Sequence, residues 1–226
     1  MAELKGRIEA ASPEVIARLE AGESLANVAE STGLGALDLV AAIARVGLGE
    51  EGSGGPGLIQ KSPAQPRLVK ALSEASLASL LPGSSRPSRL ALAAGLLQIL
   101  DAWDASHTAA QEADDLGERS TAAYWHLIAH RREPDPGNAL YWARRVGRHP
   151  IHPPLAEAAS PILEAHGDPN LTSRLVPGGT WSPSAMIDLA TQARPGTPTE
   201  ALARQLQRLE MVALLEASFD ALKHKN

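Results

Sequence analysis

The residues in this chain best suited to chemistry are three histidines, His107, His126 and His130. His126 and His130 stand four apart on a predicted helix, and Glu133 follows three further on. Helical geometry puts all three on one face, the arrangement used by helices that present two histidines to a metal. The preceding helix carries Asp101, Asp104, His107 and Gln111 at spacings of three and four. A turn near Leu116-Gly117 would fold the two helices into an antiparallel hairpin. That register sets His107 opposite His126 or Leu127, Asp104 opposite His130, and Asp101 opposite Glu133. Two polar faces meeting at one level of a bundle can build a metal or cofactor site. In this reading Asp104, His107, His126 and His130 hold one divalent ion such as zinc, iron or manganese. His126, His130 and Glu133 are then the catalytic candidates, with Glu133 as further ligand or base.

The surrounding residues support a different chemistry equally well. Of seven aromatic residues in the chain, five fall between Asp101 and Pro154: Trp103, Tyr124, Trp125, Tyr141 and Trp142. Five of seven histidines fall there too, adding His149 and His152. From Arg119 to Arg148 there are six arginines, no lysine and two carboxylates. Arginine is favoured where a planar anion is gripped by two hydrogen bonds and where the guanidinium stacks on a ring. Tyr141 and Arg145 share a helix face, which fits such a wall. The leading expectation is therefore a pocket for a small anionic or polar ligand, lined by Trp103, Tyr124, Arg131, Asn138, Tyr141, Trp142, Arg144, Arg145 and His149. Asn138 follows the turn Pro134-Asp135-Pro136-Gly137 and is expected to cap the next helix or to donate to a ligand. The third reading is a buried network in which carboxylates hold the histidines and fix helix register.

Helices must position these groups, and the sequence predicts little else. Residues 1–48 read as a small three-helix appendage, with Ser12-Pro13, Ser24 and Gly33 as start and stop signals. Its pattern resembles a helix-turn-helix unit, yet residues 1–50 hold four basic against eight acidic side chains. Phosphate neutralisation needs the opposite balance, so DNA is not expected to bind. Residues 49–67 are rich in Gly, Pro and Ser and read as a linker. Residues 68–226 read as an all-α core of roughly seven helices, multi-helix and bundle-like. Predicted helices cover 68–81, 90–115, 120–132, 138–146 and 154–166. Two more start at Ser182, as an N-cap, and at the capping box Thr197-Pro198-Thr199-Glu200. The 90–115 helix is apolar all round at first, which marks it as central. The last carries Leu202, Leu206, Leu209, Val212, Leu215, Phe219 and Leu222 on one face.

Composition narrows the classes. An apolar share of 44% with 21% charged residues suits a folded soluble protein. A net charge of -5 argues against general binding to nucleic acid or anionic membranes. Without cysteine there are no disulfides or thiolate metal sites, which fits a cytoplasmic location. The charged start MAELKGRIEA lacks the apolar core of a signal peptide, and the apolar run from Leu90 to Leu97 is too short to span a bilayer. A homo-oligomer is left open.

The strings SHTAAQ and YWHLIAHRREPDPGNALYWARRVGRHP resemble the signature of a family of soluble proteins without an established activity. Members carry a serine-histidine pair, a YWH-x-x-x-HRRE-x-D segment and a YW-x-RRVG-x-HP segment. The resemblance covers roughly residues 100–155, with weaker echoes at Trp181-Ser182-Pro183, and leaves the first 60 residues outside. It implies a shared site built from Ser106, His107, Tyr124, Trp125, His126, His130 to Glu133, Asp135, Asn138, Tyr141, Trp142, Arg144, Arg145 and His149. It implies nothing about substrate. Three functions follow as expectations: a binder of a small anionic or polar molecule, a metal-dependent hydrolase or lyase, and an interaction scaffold working through its N-terminal helices. No nucleophile elbow, P-loop or dinucleotide motif is present.

Overall fold

The computed structural model describes residues 2–50, 52 and 54–222. They form fourteen α-helices and one short 3-10 turn, with no strand among the described residues. The protein is all-α, as its helical periodicity dictates.

The centre is α7 (Arg86–Ile99), buried along every face from Leu90 to Ile99. An all-round apolar helix can only be satisfied by neighbours on all sides. Its cover comes from α8 (Trp103–Asp115), α9 (Thr121–Arg132), α14 (Pro198–Asp220), and from α4 (Ala36–Leu48) on the N-terminal side. Close approach is built into two glycines. A Cβ on Gly95 would lie 2.5 Å from the Trp125 ring, and one on Gly47 would lie 2.5 Å from the Ile99 carbonyl oxygen. The α7–α9 and α4–α7 crossings thus depend on missing side chains.

One expected long helix, 90–115, is two. The chain turns through Leu100–Ala102, with Asp101 in the left-handed region at φ 60°, and α8 returns along α7. Ser106 Oγ donates to the Ala94 carbonyl at 2.8 Å across this hairpin. The break has a tertiary cause. The Arg132 guanidinium, fully buried, donates to the Gln98 carbonyl at 2.8 Å and pairs with Asp101. The expected 68–81 helix is likewise two, α5 (Pro66–Ala71) and α6 (Glu74–Leu80), the second capped by Ser73. The α8–α9 turn falls at Gly117, φ 100°. Then come α10 (Pro136–Val146), α11 (His152–His166), α12 (Pro169–Leu175) and α13 (Pro183–Gln192). The short α12, capped by Asp168, had no counterpart in the sequence reading. Thr197 caps α14 through Glu200 N–H, and the Glu200 carboxylate reaches back to Gly196 N–H rather than to the cap itself.

The N-terminal segment has four helices, since α1 (Ala2–Glu9) precedes α2 (Pro13–Glu20), α3 (Leu25–Thr32) and α4. The helix that would read DNA in a helix-turn-helix unit is α4, and Leu39 to Ala44 are buried in the core. Hydrogen bonds tie the Gly/Pro-rich stretch down: Arg132 Nε donates to Gly57 O, Gln207 Nε2 to Pro56 O, and Arg204 to Gly55 O. No single helix among the described residues is long and apolar enough to cross a membrane.

Candidate functional site

The hairpin about Gly117 brings His107 on α8 against His126 on α9, with Nε2 atoms 2.8 Å apart. His130 lies one helical turn along α9, its ring 4.9 Å from that of His126 and 5.1 Å from that of His107. One nitrogen from each of the three lies within 4.8 Å of the others. Of the two residues expected opposite His107, His126 and Leu127, the structure has His126.

Two tryptophans hold the rings. Trp103 stacks on His107 at 4.9 Å, and Trp142 on His126 at 3.8 Å. Each is itself fixed. Trp103 Nε1 donates to the Ala129 carbonyl at 2.9 Å. Trp142 is covered by the Arg145 guanidinium, 4.9 Å from its ring centre, and Arg145 is anchored on Asp114 at 2.8 Å. Glu133 Oε2 is 2.8 Å from His130 Nδ1, which turns Nε2 of that ring toward the cluster. Asn138 Nδ2 is 3.1 Å from Nε2 and 3.3 Å from Nδ1 of the same ring. Asn138 is thus a polar neighbour of both nitrogens of that ring. Asp135, not Asn138, caps α10, its Oδ1 accepting from Asn138 N–H at 3.0 Å. Pro136 at the first helical position sets that cap one turn earlier than expected, which releases the Asn138 side chain toward His130.

Burial governs the protonation of the cluster. It pushes His126 down to about 3, helped by His107, His130 and Arg145. Burial also lowers His107, followed by repulsion from His130, while Glu133 and Asp104 oppose the shift. Both imidazoles are therefore neutral at neutral pH, the state in which a ring nitrogen can ligate a metal. His126 Nδ1 is buried without a hydrogen-bond partner.

Asp104 is a correction. It does not face His130, because Trp103 fills that level of the interhelical space, its ring centre 6.2 Å from that of His130. One position along a helix is a rotation of about 100°, which turns Asp104 outward. Asp101 lies before the helix and pairs with Arg132, not beside Glu133.

The other candidates divide between two places. Tyr141 and Arg144 are exposed on α10, and Tyr141 packs edge-on against Trp142. Tyr124, Arg131 and His149 belong instead to a second, buried cluster. Arg131 NH1 is 2.6 Å from Glu210 Oε2, with both side chains at 0% exposure. Glu210 Oε1 accepts from Tyr124 OH at 2.9 Å and from Trp181 Nε1 at 3.0 Å. The rings of His149 and His152 stand edge-on to Tyr124 at 5.3 and 5.6 Å. Burial and the neighbouring His152 push His149 down to about 4. Burial also lowers His152, against the pull of Glu210. Three of the six arginines are thus spent on the protein's own carboxylates, the buried Arg131 on Glu210, the buried Arg132 on Asp101 and the exposed Arg145 on Asp114.

Sequence reasoning misses Glu210 and assigns His152 no role, although His152 is buried and opens α11. A signal for Glu210 was present, since it stands four residues after Leu206 on the apolar face of the last helix. A carboxylate in an apolar stripe must find a partner. No family model, no curated protein and no solved structure matches this chain.

Proposed function

We propose that the protein is a metal-dependent binder or enzyme in which His107, His126 and His130 hold one divalent transition-metal ion, zinc foremost. The observation that carries this reading is the convergence of three imidazole nitrogens within 4.8 Å. A tetrahedral zinc with Zn–N distances of about 2.0–2.1 Å separates its ligand nitrogens by roughly 3.3 Å. The His107–His126 separation of 2.8 Å needs to open by only about half an ångström to accept it. Glu133 on His130 supplies the carboxylate–histidine contact that orients a metal ligand from behind. Three protein ligands leave a fourth position for water or a ligand oxygen, the pattern of catalytic rather than structural zinc. A small polar or anionic molecule bound there would have its carbonyl or phosphoryl group polarised, which suits a hydrolase or lyase.

A second reading has its own support. The direct His107–His126 contact is also a plain hydrogen bond between two neutral rings, which would fix the register of the α8–α9 hairpin with no metal. Elemental analysis of protein purified without a histidine tag separates the two. One equivalent of metal, lost in His126→Ala that remains folded, supports the metal centre. A metal-free protein that takes up none on dialysis against zinc leaves the register role.

A further inference from the structure

Beside the histidine cluster a groove of about 670 Å³ opens between two walls. One is the segment Gln60–Pro63, and the other is the start of α8, from Asp101 to Ala105. Its size lies within the range of small-molecule sites. Both walls are held by one buried residue. Arg132 Nε grips Gly57 O, its backbone carbonyl accepts from Gln60 N–H at 3.0 Å, and its guanidinium pairs with Asp101. Asp101 is kept at φ 60°, a conformation that costs a non-glycine residue energy and gathers at functional sites. The groove is a built feature, not a gap between loose loops.

Apart from Asp101, its charged groups are unspent. Lys61 on one wall and Asp104 on the other are exposed and form no ion pair or hydrogen bond among the described residues. Gln60, which also lines the groove, has a buried Oε1 without a hydrogen-bond partner. Trp103 contributes a ring already immobilised by Ala129 and stacked on His107. A free cation, a free carboxylate and a fixed aromatic surface in one groove match a ligand carrying both charges. We propose that this groove binds a zwitterion of the amino-acid or short-peptide type. Its carboxylate meets Lys61 and its ammonium meets Asp104, each by charge-assisted hydrogen bonds. The assignment does not require the metal, although Trp103 is common to both places.

Calorimetric titration of the full chain with L-alanyl-L-alanine tests this, with acetate and propylamine as the two half-probes. The dipeptide should bind with a dissociation constant below about 1 mM, and each half-probe should bind about tenfold or more weakly. Lys61→Ala and Asp104→Asn should each weaken the dipeptide by about tenfold, the loss of one charge-assisted bond. His126→Ala should bind it normally, so failure of the metal reading leaves this one standing. Absence of binding by the wild-type chain, or equal binding by the Lys61→Ala/Asp104→Asn double variant, overturns the proposal. Loss in folded His126→Ala with the groove variants unaffected also overturns it, by moving the ligand to the histidines.

Discussion

Glu210→Gln isolates the buried charge pair from everything else around it. The substitution keeps the side-chain volume and the Oε1 acceptor that serves Tyr124 and Trp181. It removes the counter-charge of Arg131, a guanidinium with 0% exposure. Removing one member of a buried ion pair costs about 3–5 kcal/mol, because the survivor stays out of water uncompensated. For a chain of this size that is a fall in melting temperature of roughly 10 °C. Arg131→Met in the same background removes the stranded charge and leaves an apolar side chain in its place. The double variant should therefore regain most of the loss, ending within about 2 kcal/mol of the parent. Urea unfolding followed by circular dichroism, with all four chains compared, gives the coupling directly. A loss under about 1 kcal/mol for Glu210→Gln, or a double variant no more stable than that single one, would refute the reasoning.

Three further outcomes follow from the packing and burial of the fold. Gly95→Ala places a Cβ 2.5 Å from the fully buried Trp125 ring, whose Nε1 is fixed on Ser218 at 2.9 Å. Overpacking of this kind costs about 1–3 kcal/mol, read as a lower melting temperature, and an unchanged one would mean that α7 and α9 do not cross there. Gly47→Ala meets the Ile99 carbonyl at 2.5 Å and should lower stability by a similar amount, coupling the N-terminal helices to α7. Independent unfolding of residues 1–48 with no effect on the remainder would contradict that coupling. Stability should also fall with acid. His149 titrates at about 4 when folded against 6.5 when free, so between these values only the unfolded chain takes up its proton. The contribution is complete above about 6.5, declines as the pH drops toward 4, and amounts to at most about 3 kcal/mol. His149→Asn should flatten the pH dependence of stability across that window, and an unchanged slope would place His149 in water.

The legible part of the site was the part fixed by helical period and one turn. Gly117 marked the hairpin, and counting back from it put His107 opposite His126 or Leu127, of which the structure has His126. Illegible were the features decided by residues far away in sequence. Nothing local breaks the helix at Asp101, since the run from Leu90 lacks a proline or a terminal glycine there. The break is made by Arg132, which draws Asp101 and the Gln98 carbonyl to itself from another helix. Whether Trp103 or Asp104 faced α9 was a choice between neighbours that periodicity alone left open, and the large ring took the interior. The arginine run was read as a ligand wall because composition cannot tell a guanidinium at a rim from one buried on Glu210. Glu210 lies so far along the chain that only the fold reveals the pair. Asn138 was expected at a helix cap that Asp135 fills.

The histidine cluster stands or falls on what its nitrogens hold. Cobalt(II) added to metal-free protein, then examined by X-ray absorption, should show saturation at one equivalent. It should also show about three nitrogen neighbours at roughly 2.0–2.1 Å, the distance expected for imidazole on a divalent ion of this size. His126→Ala should erase that signal. Cobalt that binds with oxygen neighbours only, or that binds His126→Ala as it does the parent, would contradict the account.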